Sequence, residues 1–363
     1  MTISATQSSI SATQGFKPSF GTPALPTHDA TGVQLLMCQC SGHGLAIRTD
    51  HLAGVYQLTA KQVEQGVDRL ETPQGDLRIV SLAELLSIQL NISMSVDPED
   101  RSLLAIQVGD EMVALRTGQV SRPLMVPKSS FISLPAVAHP TDETKIFSSV
   151  AIVNREAKSA VDALRLVFDP AVALGLKTRE VAALEELAVE KAPSAVQPTT
   201  ETNAGSAGHL LIFMPEDSVD LAADFVFALP LATVAEVATS HDVFPVCTAS
   251  DILAGYVYWR GRAVPVVRLG RSFGMADQQA SGAPDDNVIR SGRRLVVTHT
   301  AGGHPVAFYA ETSMQSVRIP VAESVTPDSL GNRPVLGAFQ TEMGTLVVPD
   351  LDSILHGNAT VKA

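Results

Sequence analysis

Apolar residues in this chain come in short Val/Ile/Leu-rich runs broken by turn residues, and that pattern leaves room for little besides strands. LLIF (210–213), DFVFALPL (224–231), RAVPVVRL (262–269), RRLVVTHT (293–300), HPVAFYAE (304–311) and GTLVVPDL (344–351) each span four to eight residues, with Gly, Asp or Pro around them. Runs of that length read as strands. Ala301-Gly302-Gly303 joins two of them and reads as a hairpin connection. Short helices are expected around 251–255 and 351–355. Such spacing favours small barrels or sandwiches over βαβ units. The expected class is all-β, mainly β with a few short helices.

The pattern occurs twice. LAIRTDHLAGV (45–55) lies over FALPLATVAEV (227–237) with apolar positions in step, and LRIVSLAELL (77–86) over AVPVVRLGRSF (263–273). GDEMVALRT (109–117) matches GGHPVAFYA (302–310). FSSVAIV (147–153) and LRLVFDPAVALG (164–175) match VLGAFQT (335–341) and TLVVPDLDSILHG (345–357), in the same order. A duplication of such long period predicts two copies of one fold, not a solenoid. The length of 363 residues suits two domains.

Residues 1–31, rich in Ser, Thr, Gln, Pro and Gly, read as a disordered tail. The first domain is expected over 32–176. Residues 177–208 read as a short helix and a flexible linker. Val181, Leu184, Leu187 and Val189 stand near helical spacing behind a capping Thr178, and a Pro/Thr/Ser/Gly stretch follows. The second domain is expected over 209–358, with a short tail at 359–363.

Twenty-six Lys and Arg against 38 Asp and Glu give a net charge of −12. That excess opposes binding to nucleic acid or to an anionic membrane. No basic stretch followed by an apolar run opens the chain, and no apolar run reaches the roughly 20 residues of a membrane helix. A cytoplasmic protein without membrane insertion is expected. Three cysteines are too few for a disulfide scaffold.

The search for chemistry ends without a site. Cys38-x-Cys40-x-x-His43 lacks a second ligand pair at zinc spacing, and reads as two strand cysteines beside a turn histidine. Asp350 and Asp352 stand where acids cap a short helix. Ser240, His241 and Asp242 are neighbours in sequence, which says nothing about a triad in space. No nucleophile elbow, phosphate loop, dinucleotide fingerprint or H-E-x-x-H is present. No catalytic residue, metal or cofactor is expected.

The second half carries its own punctuation. Arg260-Gly261 falls between two apolar strands, where Gly permits a tight turn of positive φ. Pro265 is placed at a strand start, where its missing N–H costs least. Glu236 and Arg260 either form a partly buried ion pair or are both solvated. Tyr256, Tyr258 and Trp259 concentrate a small aromatic stock and serve either as core or as interface anchors.

Taken in order, these residues resemble the core of the CheW-like domains of bacterial chemosensory systems. Val234, Glu236 and Val237 fit that family's Val-x-Glu-Val element. Gly255, Arg260 and Gly261 fit its turn, and Pro265, Val266, Leu269 and Gly274 fit the strand and its exit. The resemblance spans about 209–356, and reaches 32–176 only through the internal repeat. There are departures. Tyr258-Trp259 stands where the family has a small or aliphatic pair, and Arg268 where it has Asp. Segment 59–76 of the first copy has no Arg-Gly turn.

The resemblance implies two CheW-like domains, the first diverged, each a pair of small β-barrels. It also implies a non-catalytic adaptor coupling chemoreceptor cytoplasmic tips to a CheA-type histidine kinase, associated with membrane receptor arrays. Glu236, Tyr258, Trp259, Arg260, Gly261 and Val266 are the expected partner-binding neighbourhood. One alternative is a scaffold of the same fold that tethers a chemosensory or motility complex at a cell pole. Another is a β-rich small-ligand binder or enzyme, which needs a deep polar pocket with perturbed titratable groups.

Overall fold

The structure, a computed structural model, describes residues 32–72, 75–108, 111–138, 145–175, 209–216, 225–239, 241–248, 250–275, 293–311, 313–318, 324–325, 333–341 and 344–357. The expected tails at 1–31 and 359–363 and the helix and linker of 177–208 lie outside the described residues.

The first eleven strands are β1 (Gly32–Cys40), β2 (His43–Arg48), β3 (Leu52–Gln57), β4 (Arg69–Thr72), β5 (Gly75–Ser81), β6 (Ser102–Val108), β7 (Glu111–Thr117), β8 (Leu124–Pro127), β9 (Phe131–Ser133), β10 (Phe147–Ile152) and β11 (Leu164–Phe168). The second half adds β12 (His209–Phe213), β13 (Phe225–Pro230), β14 (Val234–Ala238), β15 (Val243–Pro245), β16 (Leu253–Trp259) and β17 (Arg262–Val267). It continues with β18 (Arg294–His299), β19 (Pro305–Ala310), β20 (Gln315–Arg318), β21 (Ser324–Val325), β22 (Val335–Thr341) and β23 (Gly344–Pro349). The helices are short: α1 (Ala60–Glu64), α2 (Leu82–Leu90), α3 (Ala160–Ala163), α4 (Pro170–Ala173), α5 (Leu269–Ser272) and α6 (Leu351–Leu355). The chain is mainly β, as its apolar runs foretell. None of the described helices is long and apolar enough to cross a membrane.

Contacts gather residues 1–128 with 167–181 into one compact unit, and 129–166 with 182–363 into another. In the first unit, β1 pairs antiparallel with β8 and β2, and a five-stranded sheet runs β3–β6–β7–β5–β4. Its core is Leu58, Leu77, Leu103, Ala105 and Ala114. The helix starts of this unit are capped. Thr59 and Gln62 form a capping box on α1, Ser81 accepts from the Glu84 N–H at α2, and Asp169 accepts from those of Ala171 and Val172 at α4.

In the second unit, one sheet runs β20–β12–β13–β23–β22–β21 and another β14–β18–β19–β17–β16–β15. Alternation along the strands builds two cores. Leu211, Phe213, Phe227 and Val347 from the first sheet meet Val267, Val296, Val306 and Phe308 from the second. Phe213 stacks on Phe308 at 4.8 Å, and Phe227 meets Phe273 edge-on at 4.7 Å. The second sheet curls around a core of its own: Val257, Trp259, Val264, Val266, Leu295, Val297 and Ala307.

Strand order repeats between the units. β8–β1–β2 recurs as β20–β12–β13, and β3–β6–β7–β5–β4 as β14–β18–β19–β17–β16. The single parallel ladder of the smaller sheet, β5 with β7, recurs as β17 with β19. Even a bulge recurs, between Leu52 and Gly54 in one and between Val234 and Glu236 in the other. The registers therefore superpose Gly54 on Glu236, Thr72 on Trp259 and Arg78 on Pro265.

Two local expectations are corrected. Residues 251–255 form no helix; β16 begins at Leu253, because both of its edges are taken by β15 and β17. Pro265 sits in the middle of β17 rather than at its start, and is tolerated because the ladder to β19 begins only at Val266. The helix at 351–355 forms, with Asp350 as its cap.

Candidate functional site

The β16–β17 hairpin turns on two residues, Arg260 at φ 47° and Gly261 at φ 80°. Both in the left-handed region make a type I′ turn, whose twist matches the flanking strands. The larger positive φ falls at the second position, where glycine, lacking a Cβ, adopts it without strain. The turn projects Arg260 outward with its side chain 64% exposed.

Beneath it lies the indole of Trp259, 7% exposed, at one end of the curled sheet's core. Its Nε1–H donates to Glu236 Oε2 at 2.8 Å, and an Arg260 guanidinium N–H donates to the same oxygen at 3.0 Å. The guanidinium also lies 4.6 Å from the indole centroid. The pairing left open by the sequence is thus made. Glu236 is 34% exposed, so the ion pair as such is worth at most about 1 kcal/mol. The indole hydrogen bond, and after it the Arg260 guanidinium, holds the Glu236 carboxyl below its ordinary range.

The three aromatics divide between the two sheet faces. Trp259 and Val257 point into the curled sheet, while Tyr256 and Tyr258 point to the other side. That side is covered by the 129–166 segment, with β10 against β17 and α3 against β15 and β16. Tyr258 donates its hydroxyl to the Arg155 carbonyl at 2.8 Å, and Arg155 in turn donates to Ser130 Oγ at 3.1 Å. Tyr256 is wholly buried, and its hydroxyl has no hydrogen-bond partner among the described residues. Burial raises its pKa. Val266 is also wholly buried, so it supports the hairpin from inside and offers no surface to a partner. Arg155 and Ser130 carried no signal in the sequence, because nothing local marks a segment that packs about a hundred residues further on.

Arg268, standing where the resembled family has Asp, donates to the Asp251 carbonyl at 2.9 Å, and Arg271 pairs with the Asp251 carboxylate at 3.2 Å. Both basic groups thereby tie α5 to the loop before β16.

The other candidates are structural. Cys38 and Cys40 are buried, and burial pushes their thiols up to about 12 and about 11, which keeps them protonated. No three His, Cys, Asp or Glu of the described residues gather for a metal. Asp350 caps α6 through the Ser353 N–H, whereas Asp352 accepts from the Gly302 N–H and pins the β18–β19 turn. Ser240 lies outside the described residues, and the His241 carbonyl accepts from the Tyr309 hydroxyl. An open cavity of about 450 Å³ in the first unit is lined by Gln39, Ser41, Asp97, Glu99 and Asp100 among others. Burial, and next Asp97, raises the Asp100 pKa. Its polar groups hold the loop before β6: Ser41 donates to the Ser95 carbonyl, and Arg116 to the carbonyls of Asp100 and Pro98.

Residues 218–359, which contain the whole Glu236–Trp259–Arg260 cluster, match the family model of the CheW-like domain. This part of the chain is a CheW-like domain. Among solved structures the chain is similar to the scaffolding protein TtCheW from Thermoanaerobacter tengcongensis. The two share 16% identity over 42% of this chain and 90% of that one, with a TM-score of 0.32. No curated protein matches. Within the CheW-like domain the cluster occupies an exposed hairpin end. The superposed positions of the first unit, Gly54 and Thr72, carry neither the carboxylate nor the indole.

Proposed function

We propose that the chain is a non-catalytic adaptor of a bacterial chemosensory complex, in which the CheW-like domain docks a CheA-type histidine kinase and couples it to chemoreceptor cytoplasmic tips. In this reading the protein works in the cytoplasm beside membrane receptor arrays, and association is its whole mechanism. The carrying observation is the Arg260 turn. An exposed guanidinium is held in place by an indole and a carboxylate on a rigid hairpin, at a position where the repeated fold of the first unit has Gly54 and Thr72. A preorganised Arg backed by Trp fits an interface anchor, since little side-chain entropy remains to be lost on docking. Glu236, Tyr258 and Gly261 hold the turn, and Val266 fills the core beneath it.

The test is calorimetric titration of the full chain with the regulatory domain of the source organism's CheA-type kinase. Micromolar binding with a negative heat-capacity change is expected. Arg260→Glu should weaken it at least about tenfold, roughly 1.4 kcal/mol, while leaving the melting temperature nearly unchanged. No heat from folded protein, or a loss of stability matching the loss of binding, overturns the reading.

A further inference from the structure

The two smaller sheets differ at one edge. Beyond β16 the second unit places β15, with Val243 opposite Val257 and Phe244 opposite Tyr256. In the first unit the same position beyond β4 holds no strand among the described residues, and β4 ends the sheet. The main-chain groups on that side are identifiable. Ile79 N–H donates to the Asp68 carbonyl at 2.8 Å, and Arg69 lies opposite Arg78. That bond brackets Arg69 and Arg78 as a pair whose own main-chain groups do not bond each other. The ladder then alternates. Leu70 turns its N–H and C=O toward β5, while Arg69 and Glu71 turn theirs outward.

The outward side chains are charged and exposed: Arg69, Glu71, Asp76 and Arg78. Like faces like across the hairpin, Arg69 opposite Arg78 and Glu71 opposite Asp76. In such pairs the Cα atoms lie only about 4.5 Å apart, and like charges there are destabilising. The superposed Pro265 and Tyr256 of the second unit are apolar or aromatic and sit under cover, so this pattern belongs to the first unit alone. An arginine row beside a carboxylate row is self-complementary under a two-fold rotation.

We propose that β4 is a dimerisation edge, pairing antiparallel with β4 of a second copy of this chain. One register uses both outward residues within the four-residue strand, with Arg69 of each protomer opposite Glu71 of its partner and Leu70 on the two-fold axis. It satisfies the N–H and C=O of both residues and sets each Arg across from a Glu. The same step relieves the like-charge rows by bringing opposite charge to each. The dimer is small and largely electrostatic, so it is weak and salt-sensitive. It presents two Arg260 turns at once, which raises avidity toward any array of partners.

Sedimentation equilibrium of the full chain over a wide concentration range tests this. A monomer–dimer equilibrium that weakens as salt rises is expected. Arg69→Glu and Glu71→Arg should each weaken dimerisation at least about tenfold, and the double exchange R69E/E71R should restore it. Arg69→Gln gives the same direction with a milder change, and melting curves verify that each variant is folded. A monomer at every concentration means that the charges merely guard an open edge, and overturns the proposal. So does a dimer indifferent to the single exchanges.

Discussion

Glu236 and Trp259 stand on strands that three others separate in the sheet order, yet their side chains meet at 2.8 Å. The sheet has to curl for β14 and β16 to come together, so this hydrogen bond spans the mouth of the curl. Adding Arg260 to the same carboxylate oxygen places a surface turn under the control of the barrel's closure.

Stability should therefore depend on the charge of Glu236. Its folded pKa lies below the ordinary 4.5, so ionisation stabilises the fold above that value, and the contribution is lost as pH falls through the folded pKa. Glu236→Gln should be less stable than the parent near neutral pH, and the gap should close below about pH 4. Trp259 is the sole tryptophan, so its emission reports the transition directly. A gap that persists unchanged into acid contradicts this account.

The two neighbouring tyrosines should respond in opposite ways to loss of their hydroxyls. Tyr258→Phe removes a hydrogen bond to the Arg155 carbonyl and should cost about 1 kcal/mol. Tyr256→Phe removes a buried hydroxyl without a described partner, and should be neutral or stabilising by up to about 1 kcal/mol. Denaturant midpoints of the two variants decide the matter.

Gly255 should tolerate no side chain. It sits at φ 151°, and a Cβ there would lie 2.3 Å from the Phe244 carbonyl oxygen. Gly255→Ala should destabilise by about 2 kcal/mol or more, through parting of β15 from β16. Gly261→Ala meets no neighbour and suffers only from its φ of 80°, at about 1 kcal/mol. Equal melting temperatures for the two variants would refute the distinction.

A fragment covering 208–358 alone should be a poor surrogate for the chain. It lacks the 129–166 segment that covers the β15–β17 face, and so exposes Tyr256, Tyr258 and Pro265. Hydrophobic-dye binding by the fragment, absent from the full chain, is the expected sign. A monodisperse fragment that melts with the full chain and binds no dye would show the cover to be dispensable.

What the sequence disclosed was local. The lengths of the apolar runs announced strands, and Arg260-Gly261 announced its turn, because backbone sterics act over two or three residues. The in-step apolar positions of 45–55 and 227–237 foretold a repeat that extends to the bulge at Gly54 and Glu236. Pairing between Glu236 and Arg260 stayed undecided until the curl of the sheet was known. Val266 was placed with the binding residues, though inward-facing apolar positions on a doubly flanked strand are core. Nothing in 129–166 advertises its partner, since packing onto β15–β17 is fixed by shape and by a carbonyl that any residue could supply.

That cover also has a history in time. During synthesis residues 129–166 leave the ribosome before β15, β16 and β17 exist, and the Arg155 carbonyl waits about a hundred residues for Tyr258. A strand pair left open through that interval is exposed to wrong partners, so chain elongation rate becomes a variable in the yield of native protein. Codon choice between 167 and 258 thus bears on folding as directly as any side chain in the finished fold.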